Sequence, residues 1–115
     1  MKIKSEKRLK ARAVEDPGAK GVTKVVLLGP EDGAEQVVMR LFRVEHGGHT
    51  PMHSHPWEHL VRITRGEGVV YSGSEGKFKI GPGRSIFIPA GEEHQFLNPY
   101  QEPLEFICVI PIAGA

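Results

Sequence analysis

Cysteine is nearly absent from this chain. Cys108 is the sole one, so no disulfide can form within the molecule and the fold must hold by packing alone. An excess of charge of either sign is lacking too. Fifteen basic residues stand against fourteen acidic ones, a net charge of +1, which gives no overall argument for nucleic acid or a strongly acidic partner. No apolar run approaches the ~20 residues of a membrane-crossing helix. The N-terminus is charged but has no apolar core of a secretory signal, so cytoplasmic residence without a membrane partner is the expectation. Helical periodicity is missing outside the N-terminal arm. What the chain has instead is fourteen glycines and nine prolines, spread between short runs of Val, Ile, Leu and Phe. In 115 residues that predicts one all-β domain of short strands and many turns.

Residues 1–20 are expected to form a basic arm, with Lys2, Lys4, Lys7, Arg8, Lys10 and Arg12 against Glu6. No nucleic-acid reading motif accompanies them, so a solvated arm is the simpler expectation. Asp16-Pro17-Gly18 reads as a turn. The domain proper is expected over residues 21–115. Strands are predicted over 22–28, 37–44, 60–64, 69–72, 77–80, 85–88, 94–98 and 104–110. Gly47-Gly48 reads as the break that ends the second of these. The wholly apolar centre of 85–88 predicts burial. Alternation places Val38, Arg40, Phe42 and Val44 on one face and Leu104, Phe106, Cys108 and Ile110 on another. The opposite face of 37–44 carries Val37, Met39, Leu41 and Arg43, so each face has one arginine, and a barrel with a polar site inside would accommodate one of the two.

Histidine is where the sequence concentrates its chemistry. The chain has six, and three fall within His53-Ser54-His55-Pro56-Trp57-Glu58-His59. If this stretch is extended, His53, His55 and His59 share a face and Glu58 points away. Imidazoles that converge must each find a partner when buried, and the usual solution is a metal ion. The plainer alternative is a His-rich surface loop. His46 and His49, beside the glycine pair, read as loop residues.

Spacing then points to a family. Gly47, His53, His55, position 59 and Gly66 follow the first motif of the cupins, with His59 where a glutamate usually stands. Gly83, Pro89, Gly91, His94 and Asn98 follow the second. The chain resembles the small single-domain cupins that bind manganese through four histidines. That resemblance implies a double-stranded β-helix (jelly-roll) barrel, a homodimer to which the arm contributes, and a metal held by His53, His55, His59 and His94. It also places Arg40, Phe106 and Cys108 in a substrate pocket. Arg40 would anchor a carboxylate or enolate oxygen; Cys108 would be either a redox thiol or a small buried hydrophobe. Asn98 is expected to hold backbone rather than metal.

Four neutral imidazoles leave the full charge on a divalent ion and disfavour its oxidation, and an octahedral site would keep two positions open. Ligand preference ranks Fe, Ni, Cu and Zn ahead of Mn, whereas the resemblance implies manganese. With no carboxylate at position 59 there is no obvious general base, and Glu92 and Glu93 read as solvent-facing. Lewis-acid or oxygen chemistry is therefore expected. The leading expectation is an oxidoreductase using dioxygen or peroxide on a small organic substrate. The rival is a non-catalytic module whose metal is structural or orients a bound ligand.

Overall fold

A computed structural model describes residues 1–114. Nine strands form one curled sheet: β1 (Arg12–Ala13), β2 (Lys20–Leu28), β3 (Val37–His49), β4 (His59–Arg65), β5 (Gly68–Ser72), β6 (Gly76–Ile80), β7 (Ser85–Ile88), β8 (His94–Leu97) and β9 (Leu104–Pro111). The helical content is limited to three single-turn 3-10 segments at Glu6–Arg8, Pro30–Asp32 and Ile112–Gly114. The main path runs β6-β5-β8-β3-β9-β4-β7, with β2 paired to both β1 and β3. The all-β architecture is the one the sequence predicts.

Alternation builds the interior. β9 buries Leu104, Phe106, Cys108 and Ile110 while Glu105, Ile107 and Val109 turn outward. β3 lies beside it with Arg40 opposite Cys108, Phe42 opposite Phe106 and Val44 opposite Leu104. Val22, Val38, Val61, Ile63, Val70, Ile80, Ile88 and Phe96 complete the cluster. Withdrawal of these side chains from water is the main force holding the sheet in its curl.

Three local expectations need correction. Gly47-Gly48 does not end β3, which continues to His49. The glycines instead let β2 approach: a Cβ on Gly48 would fall 2.5 Å from the Lys20 carbonyl oxygen. Gly47 adopts φ +77°, a conformation that suits glycine. The register slips there, Lys20 pairing with His49 and Val22 with Val44, which marks a bulge. It follows that His46 and His49 belong to a strand and not to a loop. The apolar strand β7 is not buried throughout: Ile88 is buried, whereas alternation turns Phe87, opposite Leu60 of β4, to the outer face, where it stays 55% exposed. The stretch 53–59 is not a continuous strand either. Its pairing is a single bridge at His53, and Pro56, which lacks an N–H, lies in a bend.

Asn98 fastens the turn after β8. Its Nδ2 donates to the Val44 carbonyl at 2.9 Å and the Glu102 carbonyl at 2.8 Å, while Oδ1 accepts from the Tyr100 N–H at 2.9 Å. The residue is 1% exposed, so its loss strands buried backbone groups. Asn98→Leu is expected to lower the unfolding free energy by about 3 kcal/mol, read as a fall in the urea midpoint with an unchanged slope.

Candidate metal centre

The open end of the curled sheet encloses a cavity of about 230 Å³. Its walls come from β3 (Arg40, Phe42), β9 (Phe106, Cys108, Ile110), β8 (His94, Phe96), β2 (Val22, Lys24) and the segment from Thr50 to His59. His53, His55, His59 and His94 all face into it. They arrive by different routes. His94 begins β8 and His59 begins β4. His53 is held by reciprocal backbone bonds with His94, at 3.2 and 3.0 Å. His55 is fixed from behind by the Gly91 N–H, which donates to its carbonyl at 2.7 Å. Trp57 stacks on the His55 ring at 4.5 Å and an interplanar angle of 9°. The parity argument is thus right about which side chains converge but wrong about how. A bend brings His59 round, and Glu58 is left exposed outside the cavity.

The rings lie close together: His53 to His55 at 4.1 Å between centroids, His59 to His94 at 4.7 Å, His55 to His59 at 5.3 Å. Their nitrogens fit a metal in part. Nε2 of His53 and Nε2 of His55 stand 3.1 Å apart. Two nitrogens bound side by side on one ion at ordinary metal–nitrogen lengths would be about 3 Å apart. Nδ1 of His94 lies 2.9 Å from the Glu92 carbonyl, which can only accept, so Nδ1 carries the proton and Nε2 keeps its lone pair. His59 is 6% exposed and its Nδ1 is buried without a partner. An orphaned imidazole nitrogen in a dry cavity is a standing cost that a metal shell would relieve. As placed, however, no group of three or more His, Cys, Asp or Glu among the described residues has its donors gathered into a ready shell.

Burial favours the neutral form of His53, His55 and His59. Desolvation is the main influence holding His53 and His55 below the usual histidine range, helped by neighbouring rings. The same causes bring His59 to about 4. Neutral rings are the form that binds metal.

Arg40 and Cys108 are neighbours. Arg40 Nη2 donates to Cys108 Sγ at 3.3 Å, and the guanidinium lies 4.9 Å from the centre of the Phe42 ring. Burial raises the thiol's pKa, outweighing the opposing effect of Arg40. That is the character of a small buried hydrophobe. Phe106 is wall, stacked on Phe96 at 4.4 Å and on Phe42 at 5.3 Å.

The profile of the cupin domain matches residues 40–110, more than half of the chain and all four of these histidines. The chain belongs to the cupin family. This cupin is similar to the polyketide cyclase RemF from Streptomyces resistomycificus, at 36% identity and a TM-score of 0.92, covering 97% of this chain and 80% of that one. A predicted oxalate decarboxylase from Thermotoga maritima shares the fold at a TM-score of 0.85 and 24% identity, covering 96% of this chain and 98% of that one. The 1-methylthio-D-xylulose 5-phosphate methylsulfurylase of Rhodospirillum rubrum is 33% identical over 72 residues, 63% of this cupin and 46% of that protein. The cupin therefore spans about half the length of that relative.

Sequence reasoning missed several wall residues. Phe42 was legible by its parity with Arg40, and Lys24 by its parity with Val22. Phe96 shares a face of β8 with His94. Asp16 carried no signal. It sits in the arm, which reaches the cavity because Arg12 and Ala13 pair with Lys24 and Thr23 of β2. Glu92 also departs from expectation: it is half-buried and accepts from Ser72 Oγ at 2.9 Å.

Proposed function

We propose that this cupin is a metal-dependent enzyme acting on a small oxygenated organic molecule by carbonyl and enolate chemistry. His53, His55, His59 and His94 would hold one divalent transition metal, manganese first, with Fe, Ni, Cu or Zn as the alternatives. The observation that carries the reading is that four imidazoles line one cavity with an arginine that has no carboxylate partner among the described residues. When bound, the metal supplies Lewis acidity toward a carbonyl or enolate oxygen. The chain's own residues do the rest. Arg40 directs its guanidinium edge at developing negative charge, and Phe42, Phe96 and Phe106 exclude water and hold a flat substrate. Asp16, an exposed carboxylate on the cavity wall, would take a proton from substrate. The likeness to a polyketide cyclase supports this order of preference.

A second reading keeps the oxidoreductase using dioxygen or peroxide. It is supported by the all-imidazole donor set, which disfavours oxidation of the metal itself while leaving open positions. Product mass separates the two. A short synthetic poly-β-ketone incubated with metal-loaded protein should lose the elements of water as it cyclises, with no oxygen uptake. A product that gains oxygen would establish the second reading, and an unchanged ketone under both conditions favours the non-catalytic module.

The metal shell has its own test, by elemental analysis after dialysis. His59→Ala is expected to cut metal affinity tenfold or more, while Glu58→Ala leaves it unchanged. Metal loss in Glu58→Ala, or indifference to His59→Ala, would refute the four-histidine shell.

The homodimer is part of the same proposal. Leu60 and Phe87 remain 56% and 55% exposed on the outer face of the sheet. They flank a groove lined by Met39, Ile107 and Val109. An apolar face of this kind suits a second copy of the chain. Light scattering at micromolar concentration should give twice the chain mass, and Phe87→Lys should return it to one.

A further inference from the structure

Two cations reach the cavity, and among the described residues neither has a carboxylate partner. Arg40 enters from β3 and Lys24 from β2. In the register of those strands Val26 lies opposite Arg40 and Lys24 opposite Phe42, so the two cations are diagonal neighbours on one face. Among the described residues neither forms an ion pair, although Arg43, Arg65 and Lys79 all find carboxylates on the outside. Arg40 Nε is buried with no hydrogen-bond partner, and its Nη2 has only the Cys108 sulfur, a weak acceptor.

The charges are felt across the gap. Lys24's ammonium is disfavoured, by loss of water first and by Arg40 second. Asp16 does not answer them. Its Oδ1 accepts from the Gly18 N–H at 2.8 Å, and its charge acts on His53. Two like charges on one wall of a partly dry cavity are unfavourable unless an anion comes between them. Beside them the rings of Phe42, Phe106 and Phe96 form a stacked apolar surface, which favours a flat ligand.

Resting on the reading of this cavity as a substrate site, we propose that Lys24 and Arg40 form an anion subsite beside the four histidines, built for the charged oxygens of a planar organic acid. Lys24 is exposed at the rim and Arg40 is half-buried behind it. The anion meets the mobile ammonium first and is then fixed by the planar fork of the guanidinium. The subsite sets orientation: the charged end lies on the β2–β3 wall and the rest of the molecule extends over the aromatic rings toward the histidines.

Benzoate is the probe and benzyl alcohol its uncharged counterpart of similar shape. Trp57, the sole tryptophan, lines the cavity and supplies a fluorescence readout. Titrations are made on both metal-loaded and metal-stripped protein, because an anion subsite acts in either form. Benzoate is expected to bind at least tenfold more tightly than benzyl alcohol in both. Lys24→Met and Arg40→Met should each weaken benzoate about fivefold to tenfold and leave benzyl alcohol unchanged. Arg40→Lys should recover part of the loss, and Lys24→Met should hold as much metal as wild type. Equal binding of the two probes by metal-stripped wild type would overturn the subsite. So would a Lys24→Met variant with full benzoate preference, and neither result touches the metal reading. A protein that binds no metal yet prefers benzoate would sustain the subsite and refute the four-histidine shell.

Discussion

An imidazole taken out of water still has a lone pair and an N–H to satisfy, and this constraint governs the open end of the barrel. His94 meets it through the Glu92 carbonyl, and His53 and His55 meet it through each other. His59 is left with a buried nitrogen and no partner. Backbone bonds set these positions before any side chain does. Thr50 is laced to Phe96 by its N–H at 2.9 Å and by its hydroxyl, which accepts from the Phe96 N–H at 2.8 Å. His53 is laced to His94 two residues further along β8. The segment carrying His53 and His55 is therefore an irregular extension of the sheet, held at two points, and not a free loop. A metal would fill what the backbone has already gathered.

The interior changes character along its length. At one end Val44 and Leu104 are fully buried, paired across β3 and β9, and Asn98 ties the adjoining turn to three backbone groups. At the other end the same two strands present Arg40 and Cys108 to the cavity. The stability of the first end tolerates the strain of the second: uncompensated cations and crowded imidazoles are affordable beside a dry, well-paired core. Function is gathered where packing is least complete.

Much of this was legible because period-two alternation is rigid. Parity sorts β3 and β9 into their two faces, and the family resemblance says which face of β3 is inward, putting Arg40, Phe106 and Cys108 on the cavity wall. The four histidines were legible from motif spacing. The failures have physical causes. A glycine pair means a break in most sequences, but at Gly47-Gly48 it permits a bulge, and only the neighbouring Lys20 carbonyl reveals which. A short apolar run such as 86–88 looks buried, but alternation turns Phe87, opposite Leu60, to the outer face of the sheet. Asp16 reaches the cavity through pairing between β1 and β2, a contact between segments with no shared pattern.

This last contact bears on what distinguishes one cupin from another. The family profile begins at residue 40, so it takes in the histidines, Arg40 and the inner face of β9. Asp16 and Lys24 lie before it, on the arm and on β2. Proteins whose names speak of a cyclase, a sugar phosphate isomerase and a decarboxylase share the curled sheet. A shared barrel therefore cannot choose among reactions. What can choose is the charge placed opposite the shared centre. In this chain the cavity carries one carboxylate, Asp16, and two cations, Lys24 and Arg40, of which Arg40 alone falls within the matched profile. Pairing of β1 with β2 brings the arm to the cavity wall, and with it Asp16, on the same cavity as Lys24.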